Sequence, residues 1–146
     1  MSNINESIRD WVEHRKSLAF PDLADIEVVT MAETGDLDPP FLTIYETGAS
    51  QYTQDAVTMD GVSNIDIVAE LHTVPGSTSE GCTPTATALD WRVQFYDILG
   101  DRDAIAWITD LNGWRVFDIR LGSPITEPDD GRTLTRWEMS IVACPL

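Results

Sequence analysis

Residues 63–74, SNIDIVAELHTV, limit the possible folds of this chain more than any other stretch. Ile65, Ile67, Ala69 and Leu71 fall on one face, and Asn64, Asp66, Glu70 and His72 fall on the other. That is the period of a strand with one buried face. Arg132–Cys144 repeats the pattern, with Trp137, Met139, Ile141 and Ala143 set against Arg136, Glu138 and Ser140. Two such strands need a common sheet and a layer of other elements over its apolar side.

Helical patterns supply that layer. Asn3 can cap a first helix, with Glu6 three residues later reaching back to the cap. Ile4, Ile8, Trp11, Val12 and Leu18 form its apolar stripe, opposite Glu6, Arg9, Asp10, Glu13 and Lys16, and Phe20-Pro21 stops it. A second helix opens at Thr83 with Pro84 in its first turn and runs to Leu99, with Gly100 as its end cap. Leu89, Val93 and Tyr96 make one stripe and Trp91, Phe95 and Ile98 another, so this helix is expected to be contacted on two sides, in the core or at an interface. Asp101 can cap a short third helix containing Ala104, Ile105, Ile108 and Leu111, closed by Asn112-Gly113.

Further strands are expected at Ile26–Thr30, at Phe41–Glu46 and at Trp114–Leu121, the last with Phe117, Ile119 and Leu121 on one face. Thr47–Gly61 is polar and sparse in apolar residues, and reads as an extended loop or a hairpin arm. Gly122–Gly131 reads as a loop through Pro124, Pro128 and the Asp129-Asp130-Gly131 turn. The order is helix, two strands, a long arm, a strand, two helices, two strands. Strands and helices that do not alternate regularly indicate an α+β fold: a mixed, mostly antiparallel sheet with the N-terminal helix and two central helices packed on it. The 146 residues suit one domain with its own core, and no internal repeat is visible.

The charge is lopsided, with 25 acidic residues, nine basic ones and a single lysine, Lys16, for a net −16. Affinity for nucleic acid rests on cations that displace phosphate counterions, so a DNA or RNA binder is disfavoured. No apolar run approaches the ~20 residues that span a bilayer, and the first residues lack the basic and apolar pattern of a secretory signal, so no membrane partner is expected. Cys82 and Cys144 have no metal-type spacing and are expected to be reduced.

Motifs that carry chemistry are absent. The chain holds two histidines, His14 and His72, both expected on polar, solvent-facing positions, and no H-E-x-x-H, C-x-x-C, G-x-S-x-G or phosphate-binding glycine loop. The acidic pairs Asp36/Asp38 and Asp129/Asp130 sit beside prolines or a turn glycine and suit turns better than cation binding. With 25 acids, some carboxylate pair will always fall at glycosidase spacing, so that signal discriminates nothing. No catalytic residue, metal or cofactor is expected. Trp11, Trp91, Trp107, Trp114 and Trp137 divide between the core and a protein interface, where aromatic residues are also enriched.

The succession of an amphipathic N-terminal helix, PPFLTIYETG at 39–48, VSNIDIVAELHTV, a helical middle and WRVFDIRLGSPITEPDDGRTLTRWEMSIVAC resembles the tail terminator (tail completion) proteins of long-tailed bacteriophages. It also resembles the related neck proteins that join head to tail. The resemblance spans nearly the whole chain. It implies helices packed on a mixed sheet and a homo-hexameric ring that caps the tail-tube protein, ends tube growth and faces the head–tail connector. The location implied is the virion tail or neck, after assembly in the host cytoplasm. DNA would then be a passing cargo that an acidic pore does not hold. The arm and the Gly122–Gly131 loop are the expected contact segments, with Gln51, Tyr52, Thr53, Glu127, Asp129, Asp130 and Arg132 as candidate interface residues. Two other functions fit parts of the sequence: an acidic inhibitor that mimics DNA, and a small carboxylate-dependent enzyme.

Overall fold

The computed structural model describes residues 3–31, 37–54, 57–74, 84–111, 113–129 and 132–145. Its elements are α1 (Ile4–Ala19), a 3-10 turn (Pro21–Leu23), β1 (Glu27–Val29), β2 (Phe41–Gln54), β3 (Val57–Thr73), α2 (Pro84–Leu99), α3 (Asp103–Leu111), β4 (Trp114–Leu121), β5 (Ile125–Asp129) and β6 (Arg132–Pro145). The fold is α+β, with one mixed sheet in the order β1-β2-β3-β6-β4 and β5 on β6. Only β1 and β2 are parallel; the other pairings are antiparallel.

The alternation in 63–74 places β3 at the sheet's centre. It pairs with β2 from Phe41↔His72 to Gln54↔Val57 and with β6 from Ser63↔Ala143 to Thr73↔Thr133. Ile65, Ile67, Ala69 and Leu71 are all buried, as are Trp137, Met139, Ile141 and Ala143 of β6. These two rows join α1, α2 and α3 in one apolar core.

Asn3 Oδ1 accepts the Glu6 backbone N–H at 3.0 Å and begins α1, which buries Ile4, Ile8, Trp11 and Val12. The Trp11 indole donates to the Ile98 carbonyl at 3.0 Å, which also accepts the Asp101 backbone N–H at 3.3 Å, so α1 is tied to the end of α2. Trp91, Phe95 and Ile98 of α2 face the core, and Asp101 Oδ1 accepts from the Asp103 N–H at the start of α3. Gly113 follows α3 with φ +73°, a left-handed conformation that closes a helix end at no steric cost to glycine.

Several expectations need correction. Leu18, placed on the apolar stripe, is 64% exposed at the end of α1. Lys16, assigned to the polar face, is buried; its ammonium donates to the Ile26 carbonyl at 2.6 Å and pairs with Glu13 at 3.3 Å. On α2, Val93 and Tyr96 are exposed, so one of the two stripes meets the core and the described part of the other does not. On β4, Val116 pairs with Ala143 and Asp118 with Val142, leaving Phe117 as the extra residue of a bulge. The bulge resets the alternation, so Val116 and Ile119 are buried while Phe117 is half exposed.

Gly122–Gly131 is not one loop, since β5 pairs with the first half of β6, from Ile125↔Arg136 to Asp129↔Arg132. β4 and β5 thus lie end to end along one edge of β6, joined where the Gly122 N–H donates to the Glu138 carbonyl at 2.9 Å. Thr47–Gly61 lies in a hairpin: β2 and β3 stay paired beyond Ser63, the last β3 residue that also pairs with β6. Gly61, in that extension, has φ +77°.

Trp137 is fully buried at the middle of β6, so Trp137→Ala is expected to cost about 3–5 kcal/mol. Leu18→Ala is expected to change stability by less than about 0.5 kcal/mol. Urea unfolding midpoints of the two variants against wild type check both values.

Candidate functional site

The helices cover one face of the sheet, and the residues between the core positions make up the other. Register aligns them in rows: Phe41, His72 and Leu134; Thr43, Glu70 and Arg136; Tyr45, Val68 and Glu138. The first two rows are largely buried, although the alternation marked this face as solvent-facing. His72 is 5% exposed and Glu70 is 7% exposed.

The described ends of the connection from β1 to β2 are fastened to this face. The Thr43 hydroxyl donates to the Met31 carbonyl, and Arg132 Nη2 donates to the Leu37 carbonyl at 3.3 Å. The Arg132 guanidinium also lies 5.9 Å from the centre of the Phe41 ring, and that ring stacks on His72 at 4.5 Å. Both histidines therefore depart from the expected exposed positions, since His14 stacks on Trp107 at 5.1 Å between α1 and α3.

Glu70 is the centre of a polar cluster. The Tyr45 hydroxyl donates to Oε1, and Arg136 Nη2 lies 3.5 Å from the same oxygen. His72 Nε2 stands 3.3 Å from Oε2, an ion-pair distance without hydrogen-bond alignment. His72 is the largest influence on the Glu70 carboxyl and lowers its pKa. Burial pushes the other way, and the Tyr45 hydroxyl and the Arg136 charge add to the lowering. Burial, and then the bond to Glu70, push Tyr45 up to about 12. Both groups are displaced away from neutrality, one held ionised and the other held protonated. General acid–base catalysis calls for the opposite displacement.

Beyond the third row the face opens into a groove of about 810 Å³. Tyr45, Asp66, Val68, Arg120, Arg136 and Glu138 are among the residues that line it, with both signs of charge present. Among the described residues, no group of three or more His, Cys, Asp or Glu side chains is placed to hold a metal ion. Cys144 is half-buried and free; Cys82 and the Asp36 of the Asp36/Asp38 pair lie outside the described residues.

The interface candidates chosen from sequence are not brought together. Gln51 is exposed and Tyr52 half-buried on the hairpin, and Thr53 pairs with Thr58. Glu127 is exposed on β5, Asp129 pairs with Arg132, and Asp130 lies outside the described residues, as do the side chains of Thr53 and Asp129. The two groups sit at opposite ends of the strands. Ser63↔Ala143 marks one end and Thr73↔Thr133 the other, about 33 Å apart at the rise of an extended strand. Sequence reasoning missed the Glu70 cluster, because what assembles it is the register that sets Glu70 beside Arg136 and Thr43.

All five tryptophans pack in or against the core: Trp11, Trp91 and Trp137 are buried, and Trp107 and Trp114 are packed on it. No helix is long and apolar enough to cross a membrane. No family model matches the chain, and no curated protein matches it in sequence.

The Glu70 carboxyl has a folded pKa below its unfolded value, so its charged form adds stability above the ordinary 4.5, and this is lost as pH falls through the folded value. Glu70→Gln is expected to be less stable than wild type at neutral pH, with the gap closing in acid, as read from urea midpoints. Tyr45 has the reverse sign: its contribution holds below the unfolded pKa of 10 and is lost as pH rises toward about 12. The tyrosinate absorbance titration of Tyr45→Phe is expected to lack the step near 12.

Proposed function

We propose that this chain is a structural ring protein of a long-tailed phage, ending the tail tube and joining it to the neck. The reading begins from the resemblance of the whole sequence to tail terminator proteins. One observation carries it further: the β2–β3 hairpin and the β5–β6 turn sit at opposite ends of one rigid sheet, about 33 Å apart by strand rise. A subunit held between a tube ring and a connector needs two contact surfaces facing away from each other, and a continuous ladder fixes their separation. The displaced Glu70 and Tyr45 support a structural role over a catalytic one, and the net −16 suits a channel that DNA passes without sticking.

Six copies of the 16.2 kDa chain would make a ring of about 97 kDa. Sedimentation and negative-stain images of the chain, alone and with assembled tail tubes, are expected to show that ring, free or seated on tube ends. A monomer under both conditions would defeat the reading. Replacing residues 52–60 with a short turn removes the hairpin beyond its last rows while leaving the β3–β6 ladder intact. That variant is expected to fold with an unfolding midpoint close to wild type and to lose the ability to stop tube growth.

A further inference from the structure

From Ser17 to Trp91 the chain has thirteen acidic residues and not one lysine or arginine. This stretch builds β1, β2 and β3, one lateral half of the sheet. Asp22, Asp25 and Glu27 are exposed at its outer edge, and Met31 just beyond β1 is 44% exposed. The opposite edge is shared by β4 and β5, and its β4 part lies four strand spacings or about 19 Å across the sheet. There Arg102 and Arg120 both bind Asp118, at 2.9 Å and 3.0 Å, and their side chains stay 66% and 79% exposed. Arg115 is exposed with no partner among the described residues, and the bulge residue Phe117 stands half exposed beside these arginines. Three exposed cations thus gather along β4, a strand whose one carboxylate is Asp118.

We propose that copies of this chain associate head to tail, with the acidic β1 edge of one copy seated on the arginine-bearing β4 edge of the next. A two-fold dimer through either edge would set like charges together, whereas a heterologous contact uses both edges of every copy and generates rings or open chains. Met31 and Phe117 place one apolar group beside each charged set, the mixture found where interface cores meet polar rims. The contact runs through side chains rather than strand addition. At the β4 edge the Val116 N–H donates to Thr109 Oγ1 at 3.1 Å, the Ile119 N–H to Asp118 Oδ1 at 3.0 Å, and Arg102 to the Ile119 carbonyl at 3.5 Å. Backbone groups already bonded in this way do not template another strand. The proposal rests on the ring reading for its biological setting, while the contact itself stands on the charge of the two edges.

Charge reversal separates the two. Arg115→Glu/Arg120→Glu and Asp25→Lys/Glu27→Lys are exposed substitutions, and circular dichroism checks that each variant keeps the fold; Arg115→Glu alone serves if the first pair does not. Each variant alone is expected to sediment as a 16.2 kDa monomer at concentrations at least ten-fold above those at which wild type assembles. An equimolar mixture is expected to reassemble, because reversal makes the edges complementary again. Wild-type rings with variants that still assemble, or a mixture that stays monomeric, would overturn the edge contact and leave the ring reading standing. Open head-to-tail chains that the reversals abolish would confirm the contact and defeat the ring. Wild type monomeric with and without tail tubes would overturn both.

Discussion

The double ladder of β3 is the constraint on which the remaining structure depends. β3 is paired on both sides from Ser63 to His72, so its register fixes β2 and β6 together. A slip of one residue on either side would turn Ile65, Ile67, Ala69 and Leu71 away from the helices and present Asp66 and Glu70 to the core. The apolar row of β3 and that of Trp137, Met139 and Ile141 therefore enforce each other. Helix placement follows from this platform, and the Trp11 bond to the Ile98 carbonyl ties the first helix to the end of the second across the full sequence separation.

The second face obeys a different logic. A sheet with helices on one side only can leave its other side to water, yet here half of that side is sealed. Phe41, Thr43, Glu70, His72 and Leu134 are buried, and Thr43 and Arg132 bond the Met31 and Leu37 carbonyls beside them. Burying a carboxylate is costly unless partners surround it; Tyr45 and Arg136 donate to Glu70, and His72 stands at ion-pair distance. The cluster thus lets a polar row become an interior row. It also stiffens the strand end opposite the hairpin, where a long two-stranded extension would otherwise have only one firm anchor.

Much of this architecture was legible in the sequence, for definite reasons. The strands that cross the core were visible because burial on one face writes a period of two into 63–74 and 132–144. The Asn3 cap and the Asp101 cap were visible because helix ends need specific side-chain acceptors. The hairpin rows beyond Gln51 were ambiguous because backbone ladders hold them, and ladders leave little trace in composition. Phe117 was misplaced because an alternation carries no mark of the residue at which a bulge resets it. Lys16 and His72 were taken as solvent-facing because polarity alone does not reveal whether another segment covers a position. The Glu70 cluster was hidden for a related reason: its members are distant in sequence and meet only through pairing.

Charge is the remaining determinant, and its distribution matters more than its sum. A net −16 makes whole chains repel one another, so any self-association has to come from local attraction at short range. Mobile ions screen exposed charges over about 8–10 Å at moderate ionic strength, which weakens repulsion between distant surfaces more than attraction between groups in contact. Most of the cations are unsuited to that role. Lys16 is buried on a carbonyl, Arg9 is paired with Asp10, Arg132 lies over Phe41 and Arg136 sits against Glu70. Arg102, Arg115 and Arg120 are exposed and gather at β4, whose one carboxylate is Asp118, on the side of the sheet away from β1. A chain with its cations spread evenly would lack a preferred side for a neighbour. Here the sheet order sets an acidic strand, β1, at one side and the arginine-bearing β4 at the other, and that difference is what a head-to-tail assembly requires.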